Sequence, residues 1–80
     1  MENLDGIKNQ FIIKNNDGVY FQSYDSIIVF IDNNGKVKLD EKYWNYSTTT
    51  SKYRNRFLNE TSKETMRKIR SGEYEFANLN

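Results

Sequence analysis

The apolar pattern of the chain changes its period after Asp40, and this change constrains the fold more than any other feature of the sequence. Before that point, short apolar runs are separated by turns rich in Asn and Gly, as in strands joined by hairpins. After it, apolar residues recur at helical spacing, behind hydroxyl residues that can cap a helix. We therefore predict an α+β fold in which a sheet comes first and two short helices pack against it.

The first half of the chain predicts an antiparallel meander of about four strands. The strands are expected at residues 10–14, 19–24, 26–32 and 36–40. The third strand holds five consecutive apolar residues, Ile27 to Ile31, so we expect both of its faces to be covered. The fourth strand alternates between polar and apolar residues, so one of its faces should be in water. Asp17-Gly18 and Asn34-Gly35 favour tight hairpin turns that use positive φ angles.

A first helix is predicted to begin in the hydroxyl run Ser47–Ser51 and to end near Asn59. Tyr53 and Phe57, four residues apart, would bury its inner face. Hydroxyl residues in such runs usually cap helices and turns. The free amides at a helix N-terminus also attract anions such as phosphate, which is the less favoured interpretation of this run.

A second helix is predicted to begin at Thr61, because Thr61 and Glu64 have the spacing of a capping box. Met66 and Ile69 would form its narrow apolar stripe. Gly72 would end it. The residues that follow, Tyr74-Glu75-Phe76-Ala77, predict one more strand at an edge of the meander, which is the weakest element of this set.

The composition excludes most familiar catalytic machinery. Cys and His are both absent, so disulfides, zinc fingers, thiol or imidazole nucleophiles and a Ser-His-Asp triad are ruled out. No Gly-rich phosphate loop is present, and no carboxylate pair is placed for acid/base chemistry. We expect a protein that is not an enzyme and that uses no cofactor and no metal. An enzyme that relies on carboxylate, lysine or tyrosine alone is the least favoured class.

With 80 residues, the chain is expected to form one domain, 1–80, with residues 1–9 as a flexible N-terminal segment. Its longest apolar run has five residues, far short of the roughly 20 that span a membrane. The polar N-terminus lacks the basic start and apolar stretch of a secretory signal. We therefore expect a cytoplasmic protein without a membrane partner.

The formal net charge of +1 conceals a division of charge along the chain. Residues 1–50 carry a net charge of −2, residues 51–72 carry +5 and residues 73–80 carry −2. A local excess of this size points to an acidic partner more strongly than the net charge does.

Five cations of the basic segment lie at helical spacing and are candidate binding residues: Lys52, Arg56, Lys63, Arg67 and Arg70. The last three would project within about 60° of one another on the second helix, and we call them the basic ridge. Such a ridge suits nucleic-acid phosphates or an acidic protein surface, since guanidinium groups pair with both. An ordinary solvated helical face is an equal alternative.

Three aromatic residues, Tyr43, Trp44 and Tyr46, lie between the predicted sheet and the helices. They could stack on bases or anchor a protein interface. For Trp44 and Tyr46 we favour a structural role as the roof of a small core. For Tyr43 both roles stay open.

Residues 44–58 resemble the pattern W-x-Y-S-x-T-T-x-K-Y-x-x-x-F-L of a family of small proteins encoded by phages and mobile elements of low-GC Gram-positive bacteria. Flanking residues also fit, so the resemblance covers about residues 20–74. Asn45 stands where members often have aspartate. The resemblance implies a genetic setting, and with it the cytoplasm of a host cell, but it carries over no catalytic residue.

These observations predict a non-catalytic accessory protein of a phage or mobile element that binds stoichiometrically to host machinery. Its partner would be a host protein or ribonucleoprotein complex, such as a nucleic-acid-handling defence complex inhibited in the manner of anti-CRISPR proteins. The alternative is direct nucleic-acid binding through residues 51–72, with Tyr43 stacking on a base.

Overall fold

A computed structural model describes residues 1–80 and has an α+β fold with one six-stranded sheet and two helices. The elements are β1 (Glu2–Asn3), β2 (Gln10–Asn15), β3 (Gly18–Ser23), β4 (Ser26–Asp32), β5 (Val37–Asp40), α1 (Thr48–Leu58), α2 (Ser62–Ser71) and β6 (Tyr74–Ala77). The strands lie side by side in chain order. The predicted fold class, meander, helices and C-terminal strand are confirmed, whereas the expected number of about four strands is too low.

The strand that the sequence did not predict lies in the N-terminal segment, where we expected flexibility. The two residues of β1 pair with Phe11 and Ile12 of β2. A 3₁₀ turn follows at Leu4–Gly6, and its Leu4 side chain is buried in the core. Because β1 has only two residues and both are polar, it shows no alternation of apolar and polar residues that could predict a strand. Its main support is the pairing with β2.

The last strand pairs with β5 in parallel, although all the other neighbouring strands are antiparallel. The chain leaves β5 at Asp40, passes through both helices and enters β6 at the opposite end of the sheet, where Tyr74 pairs with Val37. A crossover of this kind is what a parallel pair requires. Both helices therefore lie within one connection, with α1 against β3 and α2 against β6.

The core lies between the helices and one face of the sheet. Phe57 of α1 stacks on Phe21 of β3, with ring centroids 5.4 Å apart. A bulge after Phe21 interrupts the regular alternation of β4, and Ile28 and Val29 are both buried. The buried apolar residues are Leu4, Phe21, Ile28, Val29, Val37, Leu39 and Tyr74.

The far face of the sheet carries no second layer. Phe30, which points away from Val29 along β4, is half-buried and stacks on Tyr20 of β3 with ring centroids 4.5 Å apart. The prediction that both faces of β4 would be covered is therefore wrong for this face. Neighbouring side chains in the sheet provide the only cover there.

Asp40 ends β5 as a buried carboxylate with 1% of its surface exposed, where alternation predicted a face in water. It accepts hydrogen bonds from the amides of Leu79 at 2.8 Å, Tyr43 at 2.8 Å and Lys42 at 3.0 Å. Burial raises the pKa of Asp40, but these hydrogen bonds outweigh burial and hold the pKa below its usual value. Asp40 thus ties the C-terminal residues to the start of the connection to α1.

Neither Gly-containing hairpin uses the predicted turn. In the β2–β3 turn the central residues keep negative φ angles, and Gly18 (φ 147°) belongs to β3. A Cβ atom on Gly18 would lie 2.1 Å from the Ile31 carbonyl oxygen, so close strand contact requires this glycine. In the β4–β5 loop only Gly35 has a positive φ angle, 83°. The Asp32 carboxylate stabilises that loop because it accepts hydrogen bonds from the backbone amides of Asn34 and Lys36.

Gly18→Ala should therefore destabilise the fold by about 3 kcal/mol, because the new methyl group meets backbone atoms that cannot move independently. Gly35→Ala is the control: its Cβ would meet open space, so only the positive φ angle costs about 1–2 kcal/mol. Urea unfolding measures both free energies. Equal losses would contradict the close-approach argument.

Candidate functional site

Helix α2 is fixed at both ends by local interactions. The Thr61 hydroxyl accepts the Glu64 amide at 3.1 Å, and the Glu64 carboxylate accepts the Thr61 amide at 3.0 Å. This reciprocal pair is the predicted capping box. At the other end Gly72 adopts a left-handed conformation with φ 82°, as a C-terminal cap. The helix thus holds its side chains in a defined direction.

The structure brings the three residues of the basic ridge together. Lys63, Arg67 and Arg70 are exposed and line a shallow depression of about 300 Å³, together with Glu64. No carboxylate lies within 4.0 Å of any of the three cations. The ridge therefore offers three cations without an ion-pair partner on one side of α2, beside a single carboxylate, that of Glu64.

The two predicted cations of α1 lie outside this depression. Arg56 forms an ion pair with Asp5 at 3.5 Å, which ties it to the N-terminal segment near β1. Lys52 is exposed, and its amine lies 5.3 Å from the ring centre of Tyr53. The five candidate cations therefore do not form one continuous site.

The buried side of α2 differs from the predicted apolar stripe. Ile69 packs against the core as expected, but Met66 is 37% exposed, so its assignment to the core is wrong. Thr65, one turn before Ile69, takes the inward position and is fully buried. A polar residue can lie there because the Glu60 carboxylate accepts its hydroxyl hydrogen. Met66 is left one turn from Arg70 and borders the basic ridge.

Beneath α2 lies a buried polar network centred on Glu60, whose side chain is only 3% exposed. Besides Thr65, its carboxylate accepts hydrogen bonds from Lys68 at 2.9 Å and from the Tyr74 hydroxyl at 2.6 Å. The network joins the α1–α2 turn to α2 and to β6. Nothing in the local pattern distinguishes Glu60, because its partners lie 5, 8 and 14 residues later.

The two acidic groups of this network shift in opposite directions. Burial raises the pKa of Glu60, but hydrogen bonds from Thr65, Tyr74 and Lys68 outweigh burial and hold it below its usual value. Burial and the hydrogen bond to the Glu60 carboxylate raise the pKa of Tyr74 to about 12. Each group therefore stabilises the fold in the protonation state that it has at neutral pH.

Arg54 is a second buried charge, with 0% of its surface exposed, and it is not available as a surface cation of the basic segment. Its guanidinium donates to the Trp44 carbonyl at 2.7 Å and to the Ser62 hydroxyl at 3.1 Å, and it lies 5.2 Å from the Trp44 ring centre. Burial lowers the pKa of Arg54, and the charge of Glu60 opposes this shift. Arg54 joins α1 to both of its neighbouring segments.

The three aromatic residues after β5 have different roles. Trp44 is half-buried, packs against the core and lies 5.6 Å from the ring of Phe76, so its roof role is confirmed. Tyr46 is 71% exposed, and the same prediction is wrong for it. Tyr43 is half-buried against the core, with its ring 5.6 Å from that of Tyr46.

Tyr43 and Tyr46 belong to a cleft of about 420 Å³ between the β3–β4 turn and the start of α1. We call it the tyrosine cleft, because Tyr24 from the β3–β4 turn also lines it. The predicted helix cap stands beside it, since the Ser47 hydroxyl accepts the Thr50 amide at 3.1 Å. Tyr43 therefore lines a different surface feature from the basic ridge.

Fold and site together define a small α+β protein whose second helix presents free cations. No group of three acidic residues is placed to hold a metal ion, and neither helix is long and apolar enough to cross a membrane. Residues 3–73 match DUF8033, a family of unknown function, and the chain belongs to this family. No curated protein and no solved structure matches the chain. The phage or mobile-element setting stays a prediction.

Tyr74→Phe should lower the free energy of unfolding at pH 8 by about 1.5–3 kcal/mol, because Glu60 loses a hydrogen bond. The raised pKa of Tyr74 means that its contribution is complete below pH 10 and is lost as the pH rises towards 12. The difference between the unmodified chain and the variant should therefore shrink over this range in urea unfolding experiments.

Tyr46→Phe is the matched control, because that hydroxyl belongs to an exposed side chain. It should leave the free energy of unfolding at pH 8 within about 0.5 kcal/mol of the unmodified chain. A Tyr74→Phe effect that is equally small, or that stays constant up to pH 12, would contradict the role given to the network.

Proposed function

We propose that this chain is a non-catalytic accessory protein of a phage or mobile element that binds stoichiometrically to host machinery. The target would be a host protein or ribonucleoprotein complex that handles nucleic acid in defence, as for anti-CRISPR proteins. The basic ridge carries the binding part of this proposal. The genetic setting rests on the resemblance of residues 44–58.

The freedom of the ridge cations supports a binding role. Some other exposed cations have carboxylate partners within the chain, as in the pairs Lys14–Glu2 and Lys36–Glu75, and others, such as Lys8 and Lys42, have none. The ridge differs because it brings three unpaired cations to one depression. The sequence has 11 acidic residues, yet none pairs with the ridge. Like charges one turn apart on a helix repel by about 0.2–0.5 kcal/mol per pair, and an acidic partner would relieve this repulsion.

The size of the ridge favours an acidic protein surface over nucleic acid. From Lys63 to Arg70 the helix rises only about 10 Å, so the ridge can reach about three phosphates. Three phosphate contacts give a salt slope of only about −3, which corresponds to weak independent binding.

Met66 adds an apolar contact at the border of the ridge. Methionine and arginine are both enriched where proteins contact proteins, and a flexible thioether adapts to many surfaces. A phosphate backbone would leave this exposed side chain without a matching partner. An apolar side chain beside free arginines thus supports a protein partner with an acidic, partly apolar surface.

The double substitution Arg67→Gln and Arg70→Gln should separate binding from folding. Exposed charges contribute little to stability, so the free energy of unfolding should change by only a few tenths of a kcal/mol, or about 0.5 at most. Each lost charge-assisted contact should weaken binding by about 1–3 kcal/mol, or roughly 5- to 150-fold. Thermal melts, capture from lysate of a low-GC Gram-positive host and calorimetry with the recovered partner measure these effects.

The matched control is the double variant Lys14→Gln and Lys36→Gln, which loses the same charge from two exposed cations that have partners within the chain. It should bind like the unmodified chain. Equal loss in both double variants, or no stoichiometric partner for the unmodified chain, would contradict the proposal.

A second pair of substitutions tests which side of α2 faces the partner. Met66→Ala should change the free energy of unfolding by less than about 0.5 kcal/mol and weaken partner binding. Ile69→Ala should lower the free energy of unfolding by about 1–3 kcal/mol, because a side chain packed on the core is lost. The reverse pattern in urea unfolding would mean that the two faces have been interchanged.

Direct nucleic-acid binding through residues 51–72 predicts a different result. Fluorescence titrations with random single- and double-stranded DNA and RNA, at low and moderate salt, distinguish the two functions. We expect weak binding with a salt slope no steeper than about −3. Tight binding with a clearly steeper slope that Lys52→Gln reduces would favour the nucleic-acid function.

A further inference from the structure

The tyrosine cleft has the composition of a recognition site. Two of its walls, Tyr24 and Tyr46, are among the five large apolar or aromatic side chains that the fold leaves exposed. Buried Ile28 also lines it, and hydroxyl residues line much of the rest. Aromatic rings and hydroxyls brought together from two separate segments suit a ligand with a planar face and hydrogen-bond donors.

Tyr24 is held in the cleft at a cost to the fold. Its φ angle of 54° lies in the left-handed region, which bulky residues rarely adopt and which Gly or Asn would occupy more easily. Two hydrogen bonds fix the backbone of Tyr24 there. Its amide donates to the Asn9 carbonyl at 2.8 Å, and the Gln22 side-chain amide donates to the Tyr24 carbonyl at 2.6 Å. A strained aromatic residue at an exposed turn is a mark of function rather than of stability.

The charge of the cleft selects the class of ligand. Asp25 is the only charged residue that lines it, and no Lys or Arg does. The N-terminus of α1 contributes about half a positive charge, which the full charge of Asp25 exceeds. Tyrosine faces attract cations, and a carboxylate pairs with a guanidinium through two parallel hydrogen bonds. The cleft is thus complementary to a planar cation.

We infer that the tyrosine cleft binds the guanidinium group of an arginine side chain presented by a protein partner. The ring of Tyr24 or Tyr46 stacks on the guanidinium plane, and the Asp25 carboxylate accepts its hydrogens. Serine and threonine hydroxyls accept those that remain. The inference rests on the proposed function only in that the partner is a protein.

The test is an NMR titration of the labelled full chain with N-acetylarginine amide, at constant ionic strength. Saturable shifts are expected at the amides of Tyr24, Asp25 and Tyr46. The uncharged isostere N-acetylcitrulline amide should bind at least about tenfold more weakly, because it cannot form the charged pair. Equal binding of the two amides, or cleft shifts with inorganic phosphate and none with the arginine amide, would overturn the inference.

Two variants locate the binding determinants. Asp25→Asn should weaken binding of the arginine amide by at least about tenfold. Asp17→Asn, which removes the same charge from another hairpin turn, should not. Tyr24→Asn should also weaken binding while its melting temperature stays equal or rises, since Asn tolerates this backbone conformation. Unchanged binding in both cleft variants would overturn the inference.

The ridge variant with Arg67→Gln and Arg70→Gln keeps this test independent of the proposed function. It should bind the arginine amide like the unmodified chain, even where it loses the captured partner. Loss of arginine binding in the ridge variant would overturn the cleft assignment. Failure of the arginine titration together with ridge-dependent capture would remove the cleft inference alone.

Discussion

The packing of both helices depends on two charges that the fold removes from water, Arg54 and Glu60. Arg54, in the middle of α1, connects that helix to Trp44 before it and to Ser62 at the start of α2. Glu60 connects the turn between the helices to Tyr74 of β6. Buried charges cost several kcal/mol each unless hydrogen bonds and opposite charges compensate them, and removing one partner leaves the other uncompensated. The two residues therefore bind the helices, the turn between them and the last strand into one unit.

This buried network also determines which cations remain free. Of the basic residues in the second half of the chain, Arg54 and Lys68 serve the network, and Arg56 pairs with Asp5. With Thr65 and Lys68 drawn inward, the opposite side of α2 is left to the basic ridge. The cations behind the local charge of +5 along residues 51–72 thus fall into two groups, those that the buried network uses and those that stay on the surface. Only the surface group can contact a partner.

Much of the fold could be predicted from the sequence because its determinants are local. The capping box at Thr61 and the cap at Ser47 set the helix starts through contacts three residues apart. The errors concern contacts that are distant in sequence. The buried carboxylate of Asp40 accepts a hydrogen bond from the amide of Leu79, 39 residues later. Strand β1 forms only because it pairs with β2. Helical periodicity predicts Met66 in the core because it considers only apolar residues. It cannot show that Thr65 takes the inward position, since the hydroxyl of Thr65 donates to Glu60 in the preceding turn. For the candidate site, helical spacing was enough to predict the basic ridge, whose residues lie on one helix. It could not predict the tyrosine cleft, because the lining residues come from two segments that are distant in sequence.

A chain of net charge +1 gains little from long-range attraction to any partner, since electrostatic steering follows the overall field. Its charges act instead at short range, where the basic ridge is cationic and Asp25 of the tyrosine cleft is anionic. Patterns of opposite sign on one small surface discriminate among partners, because a wrong partner places like charges together. Discrimination of this kind changes the lifetime of a complex more than its rate of formation. Selectivity in this fold would therefore come from how the buried network orients α2, and from how the β3–β4 turn holds Tyr24, rather than from the amount of charge that the chain carries.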